Sequence, residues 1–213
     1  MRSRLAPLVW LCMALTGVDA VAAPTGADGL RSTLVSVEVA HARGTYTVHS
    51  VTHYRAPPEA VYAVLSDYSL FTRISSAITE AGVCARPAAD GTPRVYTTVR
   101  GCVLFFCRSV HRVEQLELEP ARSIVARVEP EASDLHDGLS RWQFTALPDG
   151  GTAVAFDMSM TPAFWVPPVI GPALVKHRLA RDGARAVSRI DALALEYLAA
   201  RQGDASIIDG DRS

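Results

Sequence analysis

The chain reads as an α+β domain: a curved antiparallel β-sheet covered by one long C-terminal helix, with two short helices after the first strands. Three observations carry this reading. Alternating, β-branched runs recur from Leu34 to Met160; two short helical segments interrupt them between Ala56 and Ile74; and an amphipathic stripe runs from about Ala173 to Ala200. With 213 residues, 49% apolar and 20% charged, the chain can bury one full core. A net charge of −1 leaves no electrostatic case for a nucleic-acid partner.

Residues 1–22 are expected to be a signal peptide. Arg2 and Arg4 supply a positive start, Leu5 to Val18 is apolar but too short to span a bilayer, and Ala20-Val21-Ala22 offers small residues at a cleavage site. The rival reading is an uncleaved anchor, although a stop-transfer run would be longer. Bulky Leu11 before Cys12 argues against lipid attachment. The expected compartment is therefore the periplasm, an oxidising one. Residues 23–32 read as a flexible leader, 33–201 as the folded domain and 202–213 as a disordered tail.

Leu34 to Val39 and Tyr46 to Tyr54 form a first hairpin, turned at residues 41–44. Pro57-Pro58-Glu59 suits a helix start, with Val61, Val64 and Leu65 on one face. Asp67 can cap a second short helix carrying Tyr68, Phe71 and Ile74. Asp90-Gly91 then turns Val83 to Arg86 back onto Val95 to Val99. Arg94 to Glu119 contains no proline and is too long for one ordinary strand, so it must reverse near Gly101 to Cys107.

A reversal centred on Leu104-Phe105 sets Val99 against Val110 and Cys102 against Cys107, at a separation that suits a disulfide. Export leaves three cysteines, so Cys102–Cys107 with Cys84 free is the expected pairing; three buried thiols is the alternative. Ile124 to Glu129 forms a further strand, and Pro130 to Gly138 a polar connection. For the last hairpin, a three-residue loop Asp149-Gly150-Gly151 places Phe144 opposite Phe156 and Trp142 opposite Met158. One face (Trp142, Phe144, Val154, Phe156, Met158, Met160) is then apolar and the other polar. In the final helix, Val175, Leu179, Ala186, Ile190, Ala194 and Tyr197 share a stripe, with Arg178, Arg181, Arg185 and Arg189 largely off it.

A single helix about 10 Å wide closes a curved sheet poorly, so an apolar cavity is expected between them. Its wall and lip would be Phe105, Phe106, Trp142, Phe144, Phe156, Met158, Met160, Phe164, Trp165, Ile170 and Leu174. Val103 to Phe106 is an unusually apolar hairpin tip, and Phe164 to Ile170 an unusually apolar loop. They either pack inside the domain or form a rim that touches a membrane transiently. Chemistry is harder to find. His111, His136 and Arg141 are the candidates for a reacting group, while His49 and His53 share a strand face without a third ligand. No nucleophile elbow, phosphate loop or metal pattern is present, so neither cofactor nor metal is expected.

The order of these elements, the stretch APPEAVYAVLSDY (56–68) and the helix entry GPALVK (171–176) resemble the START-like, or SRPBCC, helix-grip superfamily over roughly residues 45 to 200. The nearest branch by resemblance is the coenzyme Q-binding and polyketide cyclase/dehydrase group. The resemblance implies a helix-grip fold that holds a lipid, isoprenoid, quinone, sterol or polyketide, with cyclisation in some members. The export signal departs from the intracellular members of that group. Two functions follow as expectations: an exported carrier of a hydrophobic small molecule or lipid that does not turn it over, or a cyclase/dehydrase-type enzyme acting on an apolar substrate.

Overall fold

The computed structural model describes residues 32–103, 106–165 and 171–210. The expected signal peptide and nearly all of the leader lie outside them, as do Phe105 and Ile170; so do the side chains of Cys102, Phe106 and Leu174. Strands β1 (Thr33–Ala42) and β2 (Thr45–Tyr54) form the first hairpin. Its two-residue turn has φ of 51° at Arg43 and 84° at Gly44, the left-handed pair that matches the twist of the flanking strands.

Helix α1 (Pro58–Ser66) starts with proline in its first turn and buries Ala60, Val61, Val64 and Leu65. Asp67 then accepts a hydrogen bond from the Ser69 N–H at 3.0 Å and caps a 3-10 turn that leads into α2 (Phe71–Ile74). Tyr68 and Phe71 stack with ring centroids 4.2 Å apart, and both are buried.

The remaining strands are β3 (Ile78–Val83), β4 (Arg94–Val103), β5 (Phe106–Glu119), β6 (Ser123–Val128), β7 (Leu135–Ala146) and β8 (Thr152–Pro162). All pair antiparallel in one sheet of order β1-β2-β8-β7-β6-β5-β4-β3. The β4–β5 reversal falls where expected, with Val99 opposite Val110 and Cys102 opposite Cys107. β7 starts at Leu135, inside the stretch read as a polar connection. Only Pro130–Ala132, a 3-10 turn, and the two residues after it remain outside the strands.

The last hairpin corrects the expected register by two residues. Trp142 faces Phe156, Phe144 faces Val154 and Ser140 faces Met158. The loop spans Leu147 to Gly151 because Pro148 has no N–H to give a ladder. β8 is fixed at its start from elsewhere: Thr152 Oγ1 donates to the Ala56 carbonyl at 2.7 Å. A Cβ on Gly151 would collide with the Tyr54 carbonyl oxygen, so only glycine lets these strands approach. A two-residue slip preserves the face of every side chain, so the apolar face stays intact.

Helix α3 (Gly171–Gly210) runs past Ala200, where the sequence pattern weakens, through residues read as the start of a disordered tail. The backbone of that stretch continues the helix, through Gly203. Val187, Ile190, Leu193 and Ala194 of α3 close the core over α1, α2 and the sheet. A buried latch joins the helix to the end of β2: Asp191 accepts from the Arg55 backbone N–H at 2.9 Å and from its Nε at 2.7 Å, with Nη2 at 2.6 Å.

Candidate functional site

Strand alternation sends Val48, Ser50, Thr52 and Tyr54 of β2 to the same face as Val154 and Phe156 of β8 and Trp142 of β7. That face and α3 enclose a cavity of about 210 Å³. Leu34, Val37 and Leu65 complete its sides, and α3 contributes Gly183, Ala186, Val187 and Ile190. The space exists because the helix presents small side chains opposite large ones. A Cβ on Gly183 would reach ordinary contact with Leu34 at 3.4 Å, and Ala186 is truncated in the same way. On the sheet side, Trp142 and Phe156 pack with centroids 4.8 Å apart and bound the space instead of filling it.

The polar groups in this wall are few. Ser50 and Thr52 offer hydroxyls, and burial pushes the Tyr54 phenol far above its usual range, so it stays neutral at physiological pH. The volume lies below the ~300–1,000 Å³ common for small-molecule sites. The cavity is therefore suited to a narrow apolar group, such as part of a chain or one ring.

The expected site residues divide between several places. Trp142 and Phe156 line the cavity. Phe144 is buried in the core beside it and meets Tyr62 edge-on at 5.6 Å. Met158 borders a separate, more polar recess of about 370 Å³ together with His49, Arg141 and Asp157. Met160 is half-buried, opposite Tyr46 and Gly138. The Phe164 ring lies under the Arg108 guanidinium at 4.0 Å, and Trp165 is 78% exposed.

The three residues expected to react do not meet at the cavity. His111 lies on the other face of the sheet, 3.0 Å from Thr98 Oγ1, and its backbone N–H donates to Asp134. His136 and Arg141 are exposed. His49 instead pairs with Asp157 at 2.6 Å, in the open. No group of three His, Cys, Asp or Glu side chains among the described residues could hold a metal. Nor is any helix among them long and apolar enough to cross a membrane. The cavity residues missed from sequence were Leu34 and Val37 of β1, Leu65, Val154, the alternate positions of β2 and all of those on α3. For β2, YTVHSVTHY did carry the signal: its even positions, 46 to 54, form one semi-apolar face.

Comparison with known proteins places this geometry. The model of the family described as polyketide cyclase/dehydrase and lipid transport matches residues 45–195, well over half of the chain. Among solved structures, the fold is similar to the Zhui aromatase/cyclase from a Streptomyces species (TM-score 0.56, 16% identity, covering 72% of this chain and 96% of that one). It is also similar to human STARD10 (TM-score 0.54, 14% identity, 84% and 82% covered). A third is a START superfamily protein from Mycobacterium smegmatis (TM-score 0.54, 16% identity, 69% and 98% covered). A search of curated proteins gives no match.

Proposed function

The chain belongs to the polyketide cyclase/dehydrase and lipid transport family, and from that premise we propose that it is an exported carrier that holds an apolar molecule without turning it over. The observation that carries this reading is the mostly apolar cavity between Trp142, Phe156 and the small side chains of α3. The positions of His111, His136 and Arg141 outside that cavity favour carriage over a cyclase-type reaction using them. The guest is a lipid, isoprenoid or quinone, of which a narrow apolar portion enters the cavity.

Two further parts of the proposal rest on other features. The register that sets Cys102 opposite Cys107 supports a bridge between them, with Cys84 as a free thiol, and so supports an oxidising compartment. Exposed Trp165, beside the Arg108–Phe164 pair, supports transient contact with an anionic membrane during loading.

Native mass spectrometry of protein expressed with its leader and recovered from the periplasm tests all but the membrane step. The expected result is a mature chain starting near Ala23, two mass units lighter for one bridge, with a bound lipid. A chain recovered empty, with no affinity for any lipid extract, refutes the carrier reading. For the membrane step, Trp165→Ser should lower partition onto vesicles containing phosphatidylglycerol by about tenfold, since burying such a side chain contributes ~1.5–3 kcal/mol. Unchanged partition removes Trp165 from that role.

A further inference from the structure

The outer face of the sheet is open, and its charges are ordered. The alternation that turns Val48, Phe144 and Val154 into the core turns Thr47, His49, Arg141 and Asp157 outward, and among the described residues the helices pack on the core side. The ladder sets Glu38 of β1 opposite His49 of β2, His49 opposite Asp157 of β8, and Asp157 opposite Arg141 of β7. One row across four adjacent strands therefore reads acid, base, acid, base. Its middle is satisfied within the chain, because His49 Nδ1 lies 2.6 Å from Asp157 Oδ1. Its ends are not. Glu38 and Arg141 are exposed, opposite in sign, and without a side-chain partner among the described residues.

Such a row is complementary to itself. A two-fold axis above the sheet, parallel to the strands and midway between β2 and β8, lays β1 over β7 of a second copy and β2 over β8. Glu38 then meets Arg141 of the second copy, twice by symmetry, and His49 meets Asp157. The flanking rows fit by size. On one side Ala40, Thr47, Ser159 and Leu139 are successive ladder partners, so the same operation sets Leu139 over Ala40 and Thr47 over Ser159. On the other side Val51 falls over Ala155. The recess of about 370 Å³ that Ala40, Leu139 and the charged row border hollows the middle of this face, which leaves room for a large side chain from across.

We infer that this four-strand face is the interface of a homodimer, in which two sheets pack back to back and leave both helix layers and both cavities outside. The inference is independent of what the cavity holds. Aligned sheets pack about 10 Å apart with their side chains interdigitated. With ten residues in β1 and in β2, the four strands offer a face of roughly 19 by 33 Å. A pair then buries ~1,200 Å², the lower end for specific complexes, so the dimer belongs in the micromolar range. Charges left open in one copy meet across the interface, so added salt weakens it.

Analytical ultracentrifugation of the mature protein over about 1–100 µM tests this. The unaltered protein should pass from monomer to dimer within that range. Glu38→Arg and Arg141→Glu each set like charges together at two symmetric contacts, and each should weaken the dimer at least tenfold. The double variant Glu38→Arg/Arg141→Glu exchanges the two signs and should recover the affinity of the unaltered protein. A monomer at every concentration overturns the inference. A dimer that neither reversal weakens overturns it as well, and so does a double variant no tighter than the single ones, because each places the contact elsewhere. Both positions are exposed, and unchanged melting midpoints check the fold of every variant. Should a reversal fail to fold, Glu38→Gln or Arg141→Gln takes its place and should weaken the dimer in the same direction.

Discussion

The Arg55–Asp191 latch yields a prediction that depends on direction. Asp191 is 1% exposed and its partner 42% exposed, so the two deletions strand different groups. Arg55→Ala leaves a buried carboxylate held by one backbone N–H alone, and breaking a buried pair in this way costs about 3–5 kcal/mol. Asp191→Ala instead frees an arginine that can turn to water. It loses two charge-assisted side-chain bonds, a side chain's packing and the backbone contact, for about 2–3 kcal/mol. For a domain of this size 1 kcal/mol moves the midpoint by ~2–4 °C, so Arg55→Ala should melt about 8–15 °C lower and Asp191→Ala about 5–10 °C lower. The exposed Arg73–Glu196 pair, at 3.0 Å, is the control, and Arg73→Ala should cost under about 0.5 kcal/mol. Calorimetry of the three variants would falsify the reasoning if Asp191→Ala proved the more damaging, or if all three shifted alike.

Filling the cavity should separate binding from folding: Ala186→Phe should abolish displacement of an apolar fluorophore while moving the melting midpoint by only a few degrees. An unchanged affinity would place the guest elsewhere. Hydrogen bonds from Arg94 and Gln115 hold the Glu129 carboxyl below its usual range. Their stabilisation is complete above that range and is lost as pH falls through the lowered value. The stability gap between the parent and Glu129→Gln should therefore be open at pH 7 and close in strong acid, as followed by urea unfolding. Ala121 follows Pro120 in the β5–β6 turn with φ of 56°, a position that favours glycine. Ala121→Gly should raise stability by about 0.5 kcal/mol, the relief of backbone strain less the entropy of the freer unfolded chain. A lower midpoint would show that Ala121 is held by packing.

Much of the architecture was legible because it rests on parity and length. The segment from Arg94 to Glu119 had to fold back on itself near Gly101 to Cys107, and a reversal centred on Leu104-Phe105 set Cys102 against Cys107, the register observed. The same logic explains the one register error. Alternation has a period of two, so a shift of two residues in the last hairpin leaves every inward residue inward and is invisible to it. Pro148 was the available clue, since it cannot serve the ladder. The helix end was misplaced because the apolar stripe fades after Leu198 while the backbone continues helical to Gly210.

The site was less legible, and for a different reason. A cavity is made by what is missing, and Gly183 and Ala186 announce nothing in a sequence. Trp142 and Phe156 were visible because large apolar side chains attract notice on a hairpin face. Asp191 lies within a stripe of alanine and leucine, but without the position of Arg55 its role could not be read. β5 misled most. Its run RSVHRVEQLELE looks like a solvated strand, yet every second residue faces inward, so Arg112 and Glu114 are interior groups.

The join between β2 and β8 sets the pace at which this protein can assemble. It pairs residues such as His49 and Asp157, 108 positions apart, and the sheet stays in two pieces until that contact forms. Closing so long a loop delays the reward for the entropy spent, which places folding toward the slow end of the range for domains of this kind. Until then both hairpins carry an unpaired margin, a time window in which a chaperone has most to protect.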